Sequence, residues 1–567
     1  MKRVLKTSIL FGLLAMLMTS CSCYKKMRKD VDELKTTCAP SVLSLQGKQV
    51  NAEYTITFPA NYFNNKAVVR MTPVLVFADG ELAGAPMYLQ GESVKDNYGV
   101  VPKAGKAVSQ KLFFPYSEKM KQSTLELRLE VQCGKRPAGR SLLVPLTTLP
   151  LASGVSTIQE MTDLSGDPAM CADNFKRNTT ISKDARILFL INKSDVRAAQ
   201  LSSTEVKALE DFVRENSTDP KKTVGTIYAK SYASPDGPAD FNNKLAQDRS
   251  RNTQTALTQK YRNNPLPGTS NFDTEALGED WEGFRELVQT SDIPDKDLIL
   301  QVLNMYNDPQ KRDAEIKNLS AAFTVLKDKV LPELRRSKLS VNVDVAGLTD
   351  AELRAAVAGN ISQLDVEELL FAGTLFNDAS TQAKVYKTAA DKYNDYRAWN
   401  NYGAVMLKDG RYAEAAAAFQ KAATLNNSSN EVINNLGLSA IATGNYADAK
   451  KYLSSISTNE SKYNLGLLNL VEGNYAEASR TLTGYNLAVS EILNGNLAKA
   501  KSLLASETNV DADYLKAVIA AREGDAAGVI SNLTATFGKE PLYKQFAAQD
   551  VEFAKYKTNP SFAALVK

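Results

Sequence analysis

The sequence predicts a multidomain chain: an N-terminal all-β sandwich, a central α/β domain with a helical insertion, and a C-terminal all-α repeat solenoid. Three observations carry this. Apolar and polar residues alternate in short runs between residues 38 and 152. Strand and helix patterns then take turns from 180 to 347, and from 410 onward glycine turns recur in phase with small residues. A length of 567 residues also exceeds what one core supports.

Composition narrows the function. Apolar residues make up 44% and charged residues 23%, an ordinary globular balance. Of a formal charge of +4, three positives are Lys2, Arg3 and Lys6; without the first 20 residues, 65 basic side chains face 64 acidic ones. A near-neutral chain gives no electrostatic reason to bind nucleic acid. Histidine is absent. Ser-His-Asp and Cys-His catalysis, HExxH zinc sites and histidine pH switches are therefore excluded. With no phosphate-binding glycine loop either, the expectation is a non-enzymatic protein with no cofactor and no metal.

The N-terminus reads as an address. Lys2, Arg3 and Lys6 precede an apolar stretch at 9–18, too short to span a bilayer. Met18, Thr19, Ser20 and Cys21 follow. This stretch resembles a bacterial lipobox, which implies cleavage before Cys21 and lipidation of that cysteine. Several acyl chains give stable anchoring where one is marginal. Residues 22–37 are polar and read as a tether. Lys25 and Lys26 replace the acidic cluster of surface-exported lipoproteins, so the expected location is the periplasmic face of an outer membrane.

In the sandwich, Val50, Ala52, Tyr54, Ile56 and Phe58 alternate with polar residues, as do Leu125, Leu127, Leu129 and Val131. Turn residues such as Asp79-Gly80 separate the runs. Export permits disulfides among Cys21, Cys23, Cys38, Cys133 and Cys171. Cys38 and Cys133 lie near opposite ends of the β segment, so a bridge between them is conceivable, as is their remaining unpaired.

The centre opens with a strand at 187–191 and a helix at 201–213, with Val206, Leu209, Phe212 and Val213 on one face. A strand at 224–232 leads to the tight turn Pro235-Asp236-Gly237-Pro238. Asn242, Leu245 and Arg249 then fall on one helix face. Gly237, Asn242, Leu245 and Arg249 stand at the spacing of the OmpA-like peptidoglycan-binding domain, which this stretch resembles. That resemblance implies an aspartate and an arginine binding the diaminopimelate of the peptide stem; a guanidinium fork suits a carboxylate. Arg249 and Asn242 match. The aspartate position holds Ser234, with Asp236 two residues on as its substitute, and Ala246 and Ser250 depart from the pattern as well. Residues 263–337 read as a helical insertion, and Leu339, Val341, Val343 and Val345 as the returning strand. Within the insertion, 278–284 resembles a stretch of OmpA-family proteins of Bacteroidetes-like bacteria. Its acids Glu279, Asp280 and Glu282 read as a helix start.

From 350 to the end the chain reads as a repeat array. Turn glycines Gly410, Gly444, Gly473, Gly495 and Gly524 are each preceded by seven residues by a small one: Gly403, Gly437, Gly466, Ala488 and Ala517. Ala415, Ala449, Ala478, Ala500 and Val529 follow by five. Trp399, Tyr402, Gly403, Tyr412, Ala415, Phe419 and Ala422 carry the signature of the tetratricopeptide repeat, which the array resembles. The resemblance implies a concave groove for a protein partner; Arg397, Asn400, Lys408 and Asn434 are its candidate lining. The expected function is an outer-membrane lipoprotein scaffold that tethers to or senses peptidoglycan and recruits partners through its repeats. The alternative is an envelope adaptor for fimbriae, secretion or surface-lipoprotein machinery, its OmpA-like domain degenerate.

Overall fold

The computed structural model describes residues 22–133, 143–266, 272–293, 295–318 and 320–567. Cys21 and the lipobox lie outside them. The chain forms two compact units: residues 1–172 with 376–567, and residues 173–375.

The sandwich of the first unit has two sheets. One joins β1 (Lys35–Gln46), β2 (Gln49–Phe58), β7 (Lys106–Pro115) and β10 (Val155–Ser156) in the order β10-β1-β2-β7. The other runs β6-β5-β3-β8-β9, with β4 (Gly80–Ala83) on β3; its strands are β3 (Ala67–Phe77), β5 (Met87–Gly91), β6 (Gly99–Val101), β8 (Ser123–Cys133) and β9 (Val144–Ser153). The alternating residues read from the sequence face inward: Val50, Tyr54, Ile56 and Phe58 pack in one core with Leu125, Leu127, Leu129 and Val131.

Two expectations fail at the start of this unit. Residues 22–37 are not a tether. Ser22–Lys29 is a helix, α1, and β1 already begins at Lys35. Cys23, Tyr24 and Met27 share one face of α1 and join the sandwich core, where Tyr62 Oη donates to the Met27 carbonyl at 3.0 Å. The disulfide is not Cys38–Cys133 either. Cys133 pairs with Cys23, across a Cα–Cα distance of 6.1 Å. Cys38 remains a thiol on β1, in the sheet that does not contain β8.

The second unit has a four-stranded sheet, β11-β14-β12-β13. β11 (Asn178–Leu188) and β12 (Lys222–Ala233) flank the returning strand β14 (Arg336–Ala346), both antiparallel to it. β13 (Phe272–Glu279) runs parallel to β12. The helices α2 (Thr204–Asn216) and α3 (Ala239–Tyr261) cover one sheet face. Val206, Leu209, Val213 and Leu257 there meet Ile187, Ile227, Leu339 and Val341. The insertion is shorter than expected. Its helical part starts after β13 and comprises α4 (Trp281–Thr290), α5 (Lys296–Met305), α6 (Pro309–Asn318), α7 (Ser320–Lys329) and α8 (Leu331–Leu334), with a core of their own. Asp280 caps α4, its carboxylate accepting from Gly283 N at 2.9 Å. β13 went unread because it is an edge strand, half exposed and carrying Asp273, Glu275 and Glu279. The helices Asp350–Ala358 and Val366–Thr374, expected in the repeat array, belong to this unit.

The array is a run of antiparallel helix pairs, Tyr396–Lys408 with Tyr412–Leu425, Asn430–Ala442 with Tyr446–Ser454, and three further pairs to Lys539. The turn glycines adopt positive φ, +74° at Gly410 and +77° at Gly444, where a side chain would be strained. The small residue of each first helix lets the second approach. A Cβ on Gly437 would lie 2.6 Å from Leu453 Cγ. The bulky residue always stands 16 positions after the small one, as Phe419, Leu453, Leu482, Leu504 and Leu533, all buried.

Candidate functional site

The first helix of each of the first four pairs carries an asparagine two residues before the small position, Asn401, Asn435, Asn464 and Asn486, where the fifth pair has Leu515. All four are buried. What buries them is the chain's own segment leaving the sandwich. Each side-chain amide forms two hydrogen bonds with one residue of that segment, accepting from its N–H and donating to its carbonyl. Asn486 holds Asp163 at 2.9 and 3.0 Å, and Asn464 holds Asp167 at 2.9 Å on both sides. Asn435 holds Ala169 at 2.8 and 2.7 Å, and Asn401 holds Cys171 at 2.7 and 2.9 Å. This is the pairing a neighbouring β-strand would offer, supplied instead by carboxamides. The segment runs opposite to the order of the repeats.

A second row of amides connects the first. Asn400 Nδ2 donates to the Ala169 carbonyl at 2.9 Å, and Asn434 Nδ2 to that of Asp167 at 3.1 Å. Asn435 Nδ2 also reaches Asn400 Oδ1 at 2.8 Å, and Asn464 Nδ2 reaches Asn434 Oδ1 at 3.0 Å. Two of the expected groove residues, Asn400 and Asn434, are thus in the groove, fully buried against the chain itself. Lys408 is exposed; burial and the Glu460 charge raise the Asp167 carboxyl above its usual range, and Lys408 opposes this only in part. Arg397 forms an ion pair with Asp395 at 2.9 Å. Cys171 is buried, which pushes its thiol up to about 12, so it is protonated at neutral pH.

The segment is fastened where it leaves the sandwich. Gln159 Nε2 donates to the Val471 carbonyl at 2.9 Å, and Tyr475 Oη donates to the Leu45 carbonyl at 2.6 Å. Gly47 N donates to Gln159 Oε1 at 2.7 Å. Sandwich, segment and array are accordingly one packed body.

The other expected site lies in the second unit. The Arg249 guanidinium is 0% exposed. It donates to the carbonyls of Tyr232 at 2.8 Å, Lys193 at 3.0 Å and Leu190 at 3.3 Å, and lies 4.9 Å from the Phe189 ring centre. Burial, with the nearby Arg335 charge, lowers its pKa to about 10. Ser234 Oγ donates to Asp236 Oδ1 at 2.6 Å, and Asp236 pairs with Arg335 at 3.5 Å. Asn242 donates to Glu279 Oε1 at 2.8 Å. Ser234, Asp236 and Arg335 therefore form one cluster, while Arg249 and Asn242 are committed to protein groups. Among the described residues no group of three or more His, Cys, Asp or Glu is placed to hold a metal, and no helix is long and apolar enough to cross a membrane.

Residues 406–463 match the tetratricopeptide repeat family. No curated protein matches the chain. Among solved structures, a tetratricopeptide repeat protein from Parabacteroides merdae is similar at 16% identity, covering 35% of this chain and 90% of that one, with a TM-score of 0.29. PilF of Pseudomonas aeruginosa is similar at 20% identity over 35% and 87%, with a TM-score of 0.21. YrrB, described as a tetratricopeptide repeat protein with an unusual peptide-binding site, is similar at 17% identity over 34% and 94%, with a TM-score of 0.20. Tetratricopeptide repeats make this part of the chain a protein–protein interaction scaffold.

The four clamping asparagines of the tetratricopeptide array went unread in the sequence, although a signal was there. They recur at the same intervals as the turn glycines. Asn435→Ala is expected to cost about 2 kcal/mol, because the Ala169 N–H and Asn400 Oδ1 both lose a buried partner. Hydrogen exchange is the measurement: the amides of Asp167, Ala169 and Cys171 should lose protection first.

Proposed function

We propose that this chain is a non-enzymatic adaptor of the bacterial envelope, anchored through lipidated Cys21 to the periplasmic face of the outer membrane. Its tetratricopeptide array is the element that engages polypeptide, and its OmpA-like central domain is a structural module that does not hold the cell wall. The observation that carries the reading is the asparagine ladder, a device that grips extended main chain. The wall-tether alternative needs a guanidinium open to a diaminopimelate carboxylate; Arg249 has none of its surface exposed and bonds three backbone carbonyls instead.

Co-sedimentation with purified peptidoglycan sacculi tests this. Protein lacking residues 1–21 should stay in the supernatant. Pelleting that free diaminopimelate competes away, and that Asp236→Ala abolishes, would make the chain a wall tether. Anchoring is tested separately. Cys21→Ala should move the protein from the membrane fraction to the soluble periplasm, and retention in the membrane would refute the lipid anchor.

A further inference from the structure

We infer that the asparagine ladder is a main-chain-reading site for a peptide carrying a Gly-x-Pro stretch, held shut by the chain's own segment 163–171. The inference rests on the adaptor reading and specifies the partner that the groove takes. On the segment, the four clamps bond only N–H and carbonyl groups of Asp163, Asp167, Ala169 and Cys171, so any chain with the same turn at 164–165 and the same spacing after it satisfies them. Selectivity comes from three positions. Gly166, at φ +56°, passes so close to the array that a Cβ would lie 2.8 Å from Asn464 Oδ1 and meet the Leu438 side chain. Pro168 and Cys171 are buried. Asp163, Asp167 and Met170 point outward and select nothing. The fitting partner is thus a segment with glycine at the close approach and proline two residues on.

The resident segment has the advantage of covalent attachment. Its start is pinned by Gln159 to Val471, which gives it an effective concentration in the millimolar range that a free peptide does not match. Releasing it should expose the site.

Ala169→Pro with Cys171→Pro removes the two N–H groups that Asn435 and Asn401 accept and alters no groove side chain. A fluorescent peptide of residues 160–173, titrated by anisotropy, should bind this variant about 10²-fold more tightly than the unaltered chain. Adding Asn435→Ala and Asn464→Ala should remove that gain. Gly166→Leu, which displaces the segment by a clash rather than by lost bonds, should reproduce it should the double proline chain misfold. Equal binding by the unaltered chain would show that the groove is not shut. A segment made protease-sensitive by either change, with no peptide binding, would show that the ladder is only an internal staple, and a segment that stays protected in both would show that the clamps do not hold it. Sedimentation with sacculi does not depend on the groove, so this inference and the adaptor reading fail separately.

Discussion

Arg249→Ala is expected to destabilise the central unit by about 3–5 kcal/mol, the larger of the effects at single side chains. The guanidinium is fully buried and bridges the loop after β11, through Leu190 and Lys193, to β12 through Tyr232. Removing it takes a partner from three backbone carbonyls, those of Leu190 and Lys193 on exposed residues, so the main cost is the cavity left beside Phe189. Arg249→Lys keeps the charge on a compact ammonium with no fork, and should recover only part of the loss. Urea unfolding followed by the fluorescence of Trp281, which lies in this unit, in a Trp399→Phe background measures both. The contrasting outcome is equally plain. An alanine variant that unfolds at the native urea concentration yet loses affinity for sacculi would make Arg249 a ligand-binding arginine after all.

That contrast shows what a motif does and does not carry. Gly237, Asn242, Leu245 and Arg249 were legible because turn and helix chemistry fixes their spacing. The direction in which Arg249 points was not, since its acceptors lie on a loop 56 and 59 residues away. The same limit explains the groove. Asn400 and Asn434 were identified from their place on the first helices, but their partners are 231 and 267 residues away in a loop with no periodicity. Alternation read the sandwich core correctly because those strands bury one face, as at Tyr54 and Leu127. It failed at β13 and at the first half of β11, the two edges of the central sheet, where residues such as Thr180 and Glu275 face solvent. The repeats were the clearest feature, because Gly403 and Gly437 are required by the close approach of Phe419 and Leu453.

Removal of the Cys23–Cys133 bridge should lower the stability of the sandwich by about 4 kcal/mol, while Cys38→Ser should change it by less than about 0.5 kcal/mol. The two cysteines are 110 residues apart, and the loop they close takes in β1 to β8. Cross-linking so long a loop removes much of the unfolded chain's freedom, and this, rather than any contact of the sulfurs, is the main gain. A smaller second gain is local. The bridge holds α1 on the core, where Met27 and Tyr24 pack and Tyr24 Oη donates to the Pro145 carbonyl at 3.1 Å. Cys133→Ser should therefore expose α1 to protease well before the sandwich itself unfolds. Cys38, by contrast, is a half-buried thiol whose loss removes no cross-link. Urea unfolding of the Cys133→Ser and Cys38→Ser chains, with and without reductant, decides the matter. Reductant should reduce the Cys38→Ser chain to the stability of Cys133→Ser and leave the latter unchanged. Should Cys38→Ser be the damaging change and Cys23→Ser the silent one, the bridge is Cys38–Cys133, and α1 must be reassigned as the tether its polar sequence suggests.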